Sequence, residues 1–185
     1  MTIPDTSHLD PLRKELRRLQ TRLPPPPWRK VEAFAVGGLR SIGFDRESEL
    51  LLVVSSTGRG VIDCQSGRKV ARDEGEYDED ESQLEAIGIG PLQDRVLRLS
   101  GLHGGGLPNS TQDGWSLEVV TIDWPASAIL LLEPFASLYD SLHGRPSRFH
   151  SIGTETELRA CGFSYSGRSL VVATPSDITI DGRSP

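Results

Sequence analysis

A gapless unit of 17 residues occurs three times in this chain, and it restricts the fold to stacked copies of one supersecondary element. Residues 39–55 read LRSIGFDRESELLLVVS, residues 84–100 read LEAIGIGPLQDRVLRLS, and residues 158–174 read LRACGFSYSGRSLVVAT. Each copy opens with Leu and passes through a small and an apolar residue to Gly, then Phe or Ile. A polar turn and an apolar run closed by Ser or Thr follow. This is the pattern of two short strands joined by a turn. The shared Leu, the position held by Ile42, Ile87 and Cys161, and the Phe or Ile are expected to give each strand the same apolar face toward a common core. The unit reads as scaffold.

Turn signals divide the rest of the chain into further strands. The first copy begins a meander over residues 39–44, 50–55, 61–64 and 69–72. The second gives strands at 83–89, 95–100, 115–122 and 128–133, with a long Gly-rich loop at 101–114. The third gives 158–163, 169–174 and 178–180 and is one strand short. Residues 31–36, left over ahead of the first copy, are expected to supply that strand and so pair the two ends of the chain. Pro134 opens a short helix with Phe135, Leu138, Tyr139 and Leu142 on one face, and 143–155 reads as loop.

Asp10-Pro11 suits an N-cap and a first helical position. Leu9, Leu12, Leu16, Leu19 and Leu23 then recur at three- and four-residue spacing among Arg13, Lys14, Arg17, Arg18 and Arg22. An amphipathic basic helix is predicted, its leucine stripe docked on the body of the protein or on a second copy. Pro24 to Pro27 stops it and favours polyproline II, a stiff spacer of about 12 Å at roughly 3.1 Å per residue. Residues 1–30 are thus expected to form a helix and spacer, and 31–185 the repeat domain.

With 185 residues and 36% hydrophobic content, the chain is large enough to bury one core. It has no apolar run of the roughly 18 residues that a membrane span needs and no signal-peptide h-region, which reads as a cytoplasmic protein without membrane contact. Cys64 and Cys161 are too few for a disulfide framework, and Cys161 falls on an Ile position, as a buried thiol would. Arginine far outnumbers lysine, and Gly, Pro and Ala are abundant, a composition that resembles high-GC bacterial proteins. The net charge of -6 is concentrated, since residues 72–85 hold eight acidic side chains against one Arg. Such a stretch argues against nucleic acid and attracts a basic partner.

The segment GFSYSGRSLVVATPSDITI resembles the inner half of a WD40-type β-propeller blade, where a Phe-Ser-x-x-Gly turn joins two strands. Gly162, Phe163, Ser164, Gly167 and Arg168 carry the match, and IGFDRESELLLVVSSTGRGVIDCQSGRKV is similar along a whole blade. The resemblance covers about half the chain. It departs from the family pattern in lacking the Gly-His and Trp-Asp pairs: Trp124 follows Asp123 in the reverse order. Propellers close with four to eight blades. The expected class is therefore mainly β, with three antiparallel meander units and an N-terminal amphipathic helix. The units could form a partial or distorted propeller, a sandwich or barrel, or half of a six-bladed ring completed by a dimer.

Catalytic motifs are sparse. His103-Gly104-Gly105-Gly106 is similar to the oxyanion-hole loop of lipases and esterases. Its serine candidate, in Gly162-Phe163-Ser164-Tyr165-Ser166, has Ser in place of the second Gly, no strand–helix context and no His after it. The glycines read instead as loop residues at positive φ, in a loop long enough to bind something. His8, His103, His143 and His150 are scattered, and neither Cys stands at ligand spacing from a His, so no metal and no cofactor are expected. What remains is the acidic segment Asp73, Glu74, Glu76, Tyr77, Asp78, Glu79, Asp80 and Glu81. There carboxylates can steer a basic partner and the ring can supply contact area, and His103 in the Gly-rich loop and Trp115 at the start of the next strand are expected to join them.

In charge and size the chain is similar to immunity proteins of bacterial toxin systems. That similarity implies a non-catalytic protein-binding module that captures a basic partner. The alternative is a structural repeat domain that self-associates through residues 9–23; an esterase-like enzyme comes third.

Overall fold

The protein is described by a computed structural model covering residues 6–75, 79–80 and 82–184, with backbone only at 79–80. One helix, α1 (Asp10–Arg18), precedes β1 (Arg29–Ala35), β2 (Leu39–Phe44), β3 (Leu50–Ser55), β4 (Gly58–Asp63) and β5 (Arg68–Asp73). Next come β6 (Glu79–Asp80), β7 (Glu85–Ile87), β8 (Val96–Arg98), β9 (Ser100–Gly101), β10 (Ser116–Asp123) and β11 (Ala126–Leu132). They are followed by β12 (Phe149–Glu155), β13 (Ala160–Phe163), β14 (Ser169–Ala173) and β15 (Asp177–Gly182). The fold is mainly β, with antiparallel pairs in four open sheets and no closed barrel. Among the described residues no helix is long and apolar enough to cross a membrane.

The chain divides into two compact units, Met1–Pro24 with Asp113–Thr156, and Pro25–Gln112 with Glu157–Pro185. This division differs from the boundary expected at residue 30, because α1 packs on β11 and β12 within the smaller unit. Leu12 and Leu16 are buried with Leu130, Leu132 and Phe149, so the leucine stripe docks on the body as predicted. The helix is shorter than its leucine pattern. Leu19 turns to extended backbone (φ -64°, ψ 134°), and Leu23 is 72% exposed. The prolines are not a straight spacer either, since the Trp28 N–H donates to the Pro25 carbonyl across a turn.

The larger unit is a stack of three sheets. A chain-end sheet runs β1-β15-β14-β13, a central sheet β5-β4-β3-β2-β9, and an outer sheet β6-β7-β8. Strand periodicity explains the order. Along β3, Leu51 and Val53 join the core shared with Val171, Ala173, Ile178 and Ile180 of the chain-end sheet. The intervening Leu52 and Val54 join the core shared with Ala86, Leu97 and Leu99. The central sheet is thus buried on both faces, which is why LLLVV reads as a continuous apolar run. β1 pairs with β15 over Arg29–Ala35 and supplies the strand missing from the third copy, as the leftover segment predicted.

The first and third copies fold alike. Ile42 pairs with Val53 and Cys161 with Val172, in the same register of the repeat. Asp45 N–H donates to the Leu50 carbonyl at 2.9 Å, and Ser164 N–H to that of Ser169 at 2.8 Å, at equivalent points of the two turns. In β2 the register shifts between Leu39 and Ser41, a bulge that lets Leu39 and Ile42 reach one core despite their three-residue spacing.

The second copy departs from the pattern. A 3₁₀ turn at Gly90–Leu92 shortens its hairpin, and Ile87 pairs with Val96, two residues away from the repeat register. Its expected third and fourth strands leave it altogether: β10 and β11 form a separate sheet with β12, in the smaller unit. β12 lies in the segment read as loop, where Ser, Gly and Thr among the apolar residues hide the alternation. The helix expected after Pro134 is absent. Phe135 has φ +60°, a left-handed conformation that no α-helix accommodates, and only a 3₁₀ turn at Ser141–His143 follows.

Candidate functional site

The outer sheet covers the central sheet with one face and leaves the other open. Strand alternation sends Ala86 and Leu97 inward to the core and turns Glu85, Ile87, Val96 and Arg98 outward. Ile87 and Val96 face one another across the strands, 55% and 64% exposed. In the first copy the residue equivalent to Ile87, Ile42, is wholly buried. The expectation that this repeat position is core in every copy is therefore corrected: in the second copy it is surface, because among the described residues no sheet covers that face.

Beside this pair opens a cleft of about 490 Å³, lined by Tyr165 and by residues of the β2–β3 turn and of the outer sheet. Arg95 spans it. One guanidinium nitrogen lies 2.8 Å from each oxygen of Asp45 and 3.3 Å from Glu47. Asp45 is buried, which raises its pKa, but hydrogen bonds from the Ser48 hydroxyl (2.6 Å) and from Arg95 outweigh burial and hold it below the usual carboxylate value. Arg46 lies over the Tyr165 ring, 5.4 Å from its centroid, a cation–π contact that joins the turns of the first and third copies. Glu49 joins the same turns, accepting hydrogen bonds from the hydroxyls of Ser169 (2.6 Å) and Ser166.

The acidic residues named from sequence divide by position. Asp73, at the end of β5, is neutralised within the fold. It accepts the Gly75 N–H at 2.9 Å and Arg59 at 2.7 Å, and both depress its pKa. The same Arg59 donates to the Ile87 carbonyl at 2.8 Å, which ties β4 to the outer sheet. Glu74 is exposed and lies 3.5 Å from Arg72. Glu79 and Asp80 form β6, paired with Ala86 and Glu85, so this part of the acidic segment is an edge of the outer sheet. Glu76, Tyr77, Asp78 and Glu81 lie outside the described residues.

The Gly-rich loop is placed differently from the acidic segment. His103 is exposed on a turn closed by mutual Gly101 and Gly104 backbone bonds. Gly104 and Gly105 take positive φ, as expected of them. The loop is pinned further on, where the Phe163 N–H donates to the Pro108 carbonyl at 2.8 Å. Trp115 is 5% exposed in the smaller unit, a core side chain that offers no ring to a partner. Ser164, the candidate esterase serine, is buried in a β-turn, and its hydroxyl accepts the Ser169 N–H. Among the described residues no three His, Cys, Asp or Glu side chains cluster as a metal site.

Sequence reasoning missed Ile87, Val96, Arg95, Arg46 and Tyr165. No alternation in Glu85-Ala86-Ile87-Gly88 or Arg95-Val96-Leu97-Arg98 marks the wet face, since each places two apolar residues side by side. Comparison of the chain with protein-family models, curated proteins and solved structures finds no match.

Proposed function

We propose that this chain is a non-catalytic protein-binding module that captures a basic partner on the open face of the outer sheet, beside the acidic segment. The observation that carries this reading is the Ile87–Val96 pair, apolar at a position the repeat assigns to a core, yet left in water. Covering the two side chains would contribute on the order of 1 kcal/mol each. Arg95 with Glu47, Glu85 opposite Arg98, and Arg46 over Tyr165 supply the polar rim that surrounds the apolar centre of many interfaces. The acidic segment gives long-range attraction, which acts on the association rate more than on the final affinity.

An immunity-type role, neutralising a basic effector, is the specific form of this reading that suits the charge and size of the chain. Self-association through residues 9–23 has less support, since Leu12 and Leu16 are already covered within the smaller unit.

The test is site-specific photocrosslinking from position 96 in native extract, followed by measurement of the association rate with the purified captured protein. The captured protein should be basic, and its association rate should fall steeply as salt rises. Replacing Asp78, Glu79, Asp80 and Glu81 with Ser or Asn should lower that rate by about tenfold at low salt. A captured protein of net negative charge, or a rate indifferent to salt and to the replacement, would remove the reading.

A further inference from the structure

On the other side of the central sheet, where its β3–β4–β5 strands face the Ala35–Gly37 end of the chain-end sheet, there is a hollow of about 180 Å³. Its cause is local. Gly60 pairs with Val53 on one side and Arg72 on the other, so one side chain is missing from the middle of the row. A Cβ at Gly60 would meet nothing nearer than the Ala71 carbonyl oxygen at 3.6 Å. Protein interiors are otherwise close-packed, and an apolar cavity of roughly 150 Å³ holds a benzene molecule.

The lining is of two kinds. Val36, Val53 and Ile62 make apolar walls, while Ser55, Thr57, Lys69 and Arg72 bring polar groups to it. Among the described residues no carboxylate lines the hollow, although the chain as a whole carries a net charge of -6. Lys69 lies 5.3 Å from the centroid of the Phe34 ring and, among the described residues, pairs with no acid. Arg72 is more committed: it donates to the Thr57 carbonyl and hydroxyl at 2.9 and 3.0 Å and lies 3.5 Å from Glu74.

We infer that this hollow is a binding site for a small monocarboxylate with a compact apolar body, aromatic or branched, whose carboxylate meets Lys69. Cations are repelled by a lining whose charges, among the described residues, are positive. Small inorganic anions would exchange water for valine and isoleucine, which is costly. The volume accepts about one ring and excludes nucleotides. An amphiphilic anion satisfies both parts of the lining.

The probe is benzoate, titrated into the full chain and followed by amide chemical shifts, with benzamide and benzylammonium as neutral and cationic counterparts. Benzoate should shift Val53, Gly60 and Val61 in a saturable way. Benzamide, and benzoate with Lys69→Gln, should bind about tenfold more weakly, as loss of a charged hydrogen bond implies. Gly60→Val suits a strand, fills the hollow and should abolish the shifts while the remaining spectrum stays that of a folded protein. Lys69 is an exposed surface position, so the Gln variant carries the test even if the Val variant does not fold. No saturable shift up to about 20 mM benzoate, beyond the range expected of so small a ligand, overturns the inference. So does equal binding of benzamide, of Lys69→Gln with benzoate, or of a folded Gly60→Val.

Discussion

A glycine stands at the same place in all three copies of the repeat, and in each case another stretch of backbone occupies the space a side chain would need. A Cβ at Gly43 would lie 2.4 Å from the Arg98 carbonyl oxygen, one at Gly88 2.3 Å from that of Leu92, and one at Gly162 2.4 Å from the Leu107 Cβ. Gly162→Ala should therefore destabilise the protein by about 2 kcal/mol, read from the denaturation midpoint, because the pinned Leu107–Pro108 segment must move. The glycine was legible in the repeat, but its cause at Gly43 and Gly162 was not, since there the crossing segment comes from elsewhere in the chain. Asp181 is the opposite case, a residue with no sequence signal. It is buried on β15, one carboxylate oxygen has no hydrogen-bond partner, and burial raises its pKa to about 6, offset in part by Lys30. The folded state therefore binds a proton more tightly than the unfolded state. Stability falls as pH rises from about 4 to about 6, and the cost is fully present above that range. Asp181→Asn should raise stability at pH 7 by on the order of 2 kcal/mol and leave it unchanged near pH 3, as thermal unfolding at the two pH values would reveal.

At the scale of elements, the hairpin turns hold the stack together at one end. Glu49 bonds the first copy to the third, and Asp45 with Arg95 bonds the first to the second. Arg95→Gln removes the cation from a buried carboxylate and should lower the urea unfolding midpoint at pH 7. The loss should shrink as pH falls below the ordinary carboxylate range. Asp45 has a depressed pKa, so its contribution is present above the unfolded carboxylate value and is lost as pH falls through the lower folded one. α1 is held by packing, and Leu16→Ala should cost about 3 kcal/mol because its partners Leu130 and Phe149 cannot follow the lost side chain.

The strands of the first and third copies were legible because alternation and turn residues are local properties. β1 was legible by subtraction, since one copy lacked a strand and one strand lacked a copy. The fate of β10 and β11 was not legible, because their partner β12 hides its pattern behind Ser151, Gly153 and Thr154. The end of α1 was also obscured, because the leucines continue past Arg18 in extended chain.

At the scale of the whole chain, repetition builds the larger unit and irregularity marks where it can act. Two sheets bury the central one on both faces, and the outer sheet ends the stack with a face that, among the described residues, no further sheet covers. The acidic segment was conspicuous in sequence because charge is legible without a fold. Ile87 was not, because whether a repeat position is core or surface depends on which copy comes last in the stack.

The most direct measurement is the affinity for the partner captured from position 96, compared for wild type, Ile87→Ser/Val96→Ser and Val70→Ser. Val70 is an exposed apolar residue on β5, outside the proposed surface, and controls for general loss of hydrophobicity. The double variant should bind at least tenfold more weakly, the loss expected when a small apolar centre is removed, while Val70→Ser binds as wild type. Equal affinity for all three proteins would contradict the proposal that the open face of the outer sheet is where this chain meets its partner.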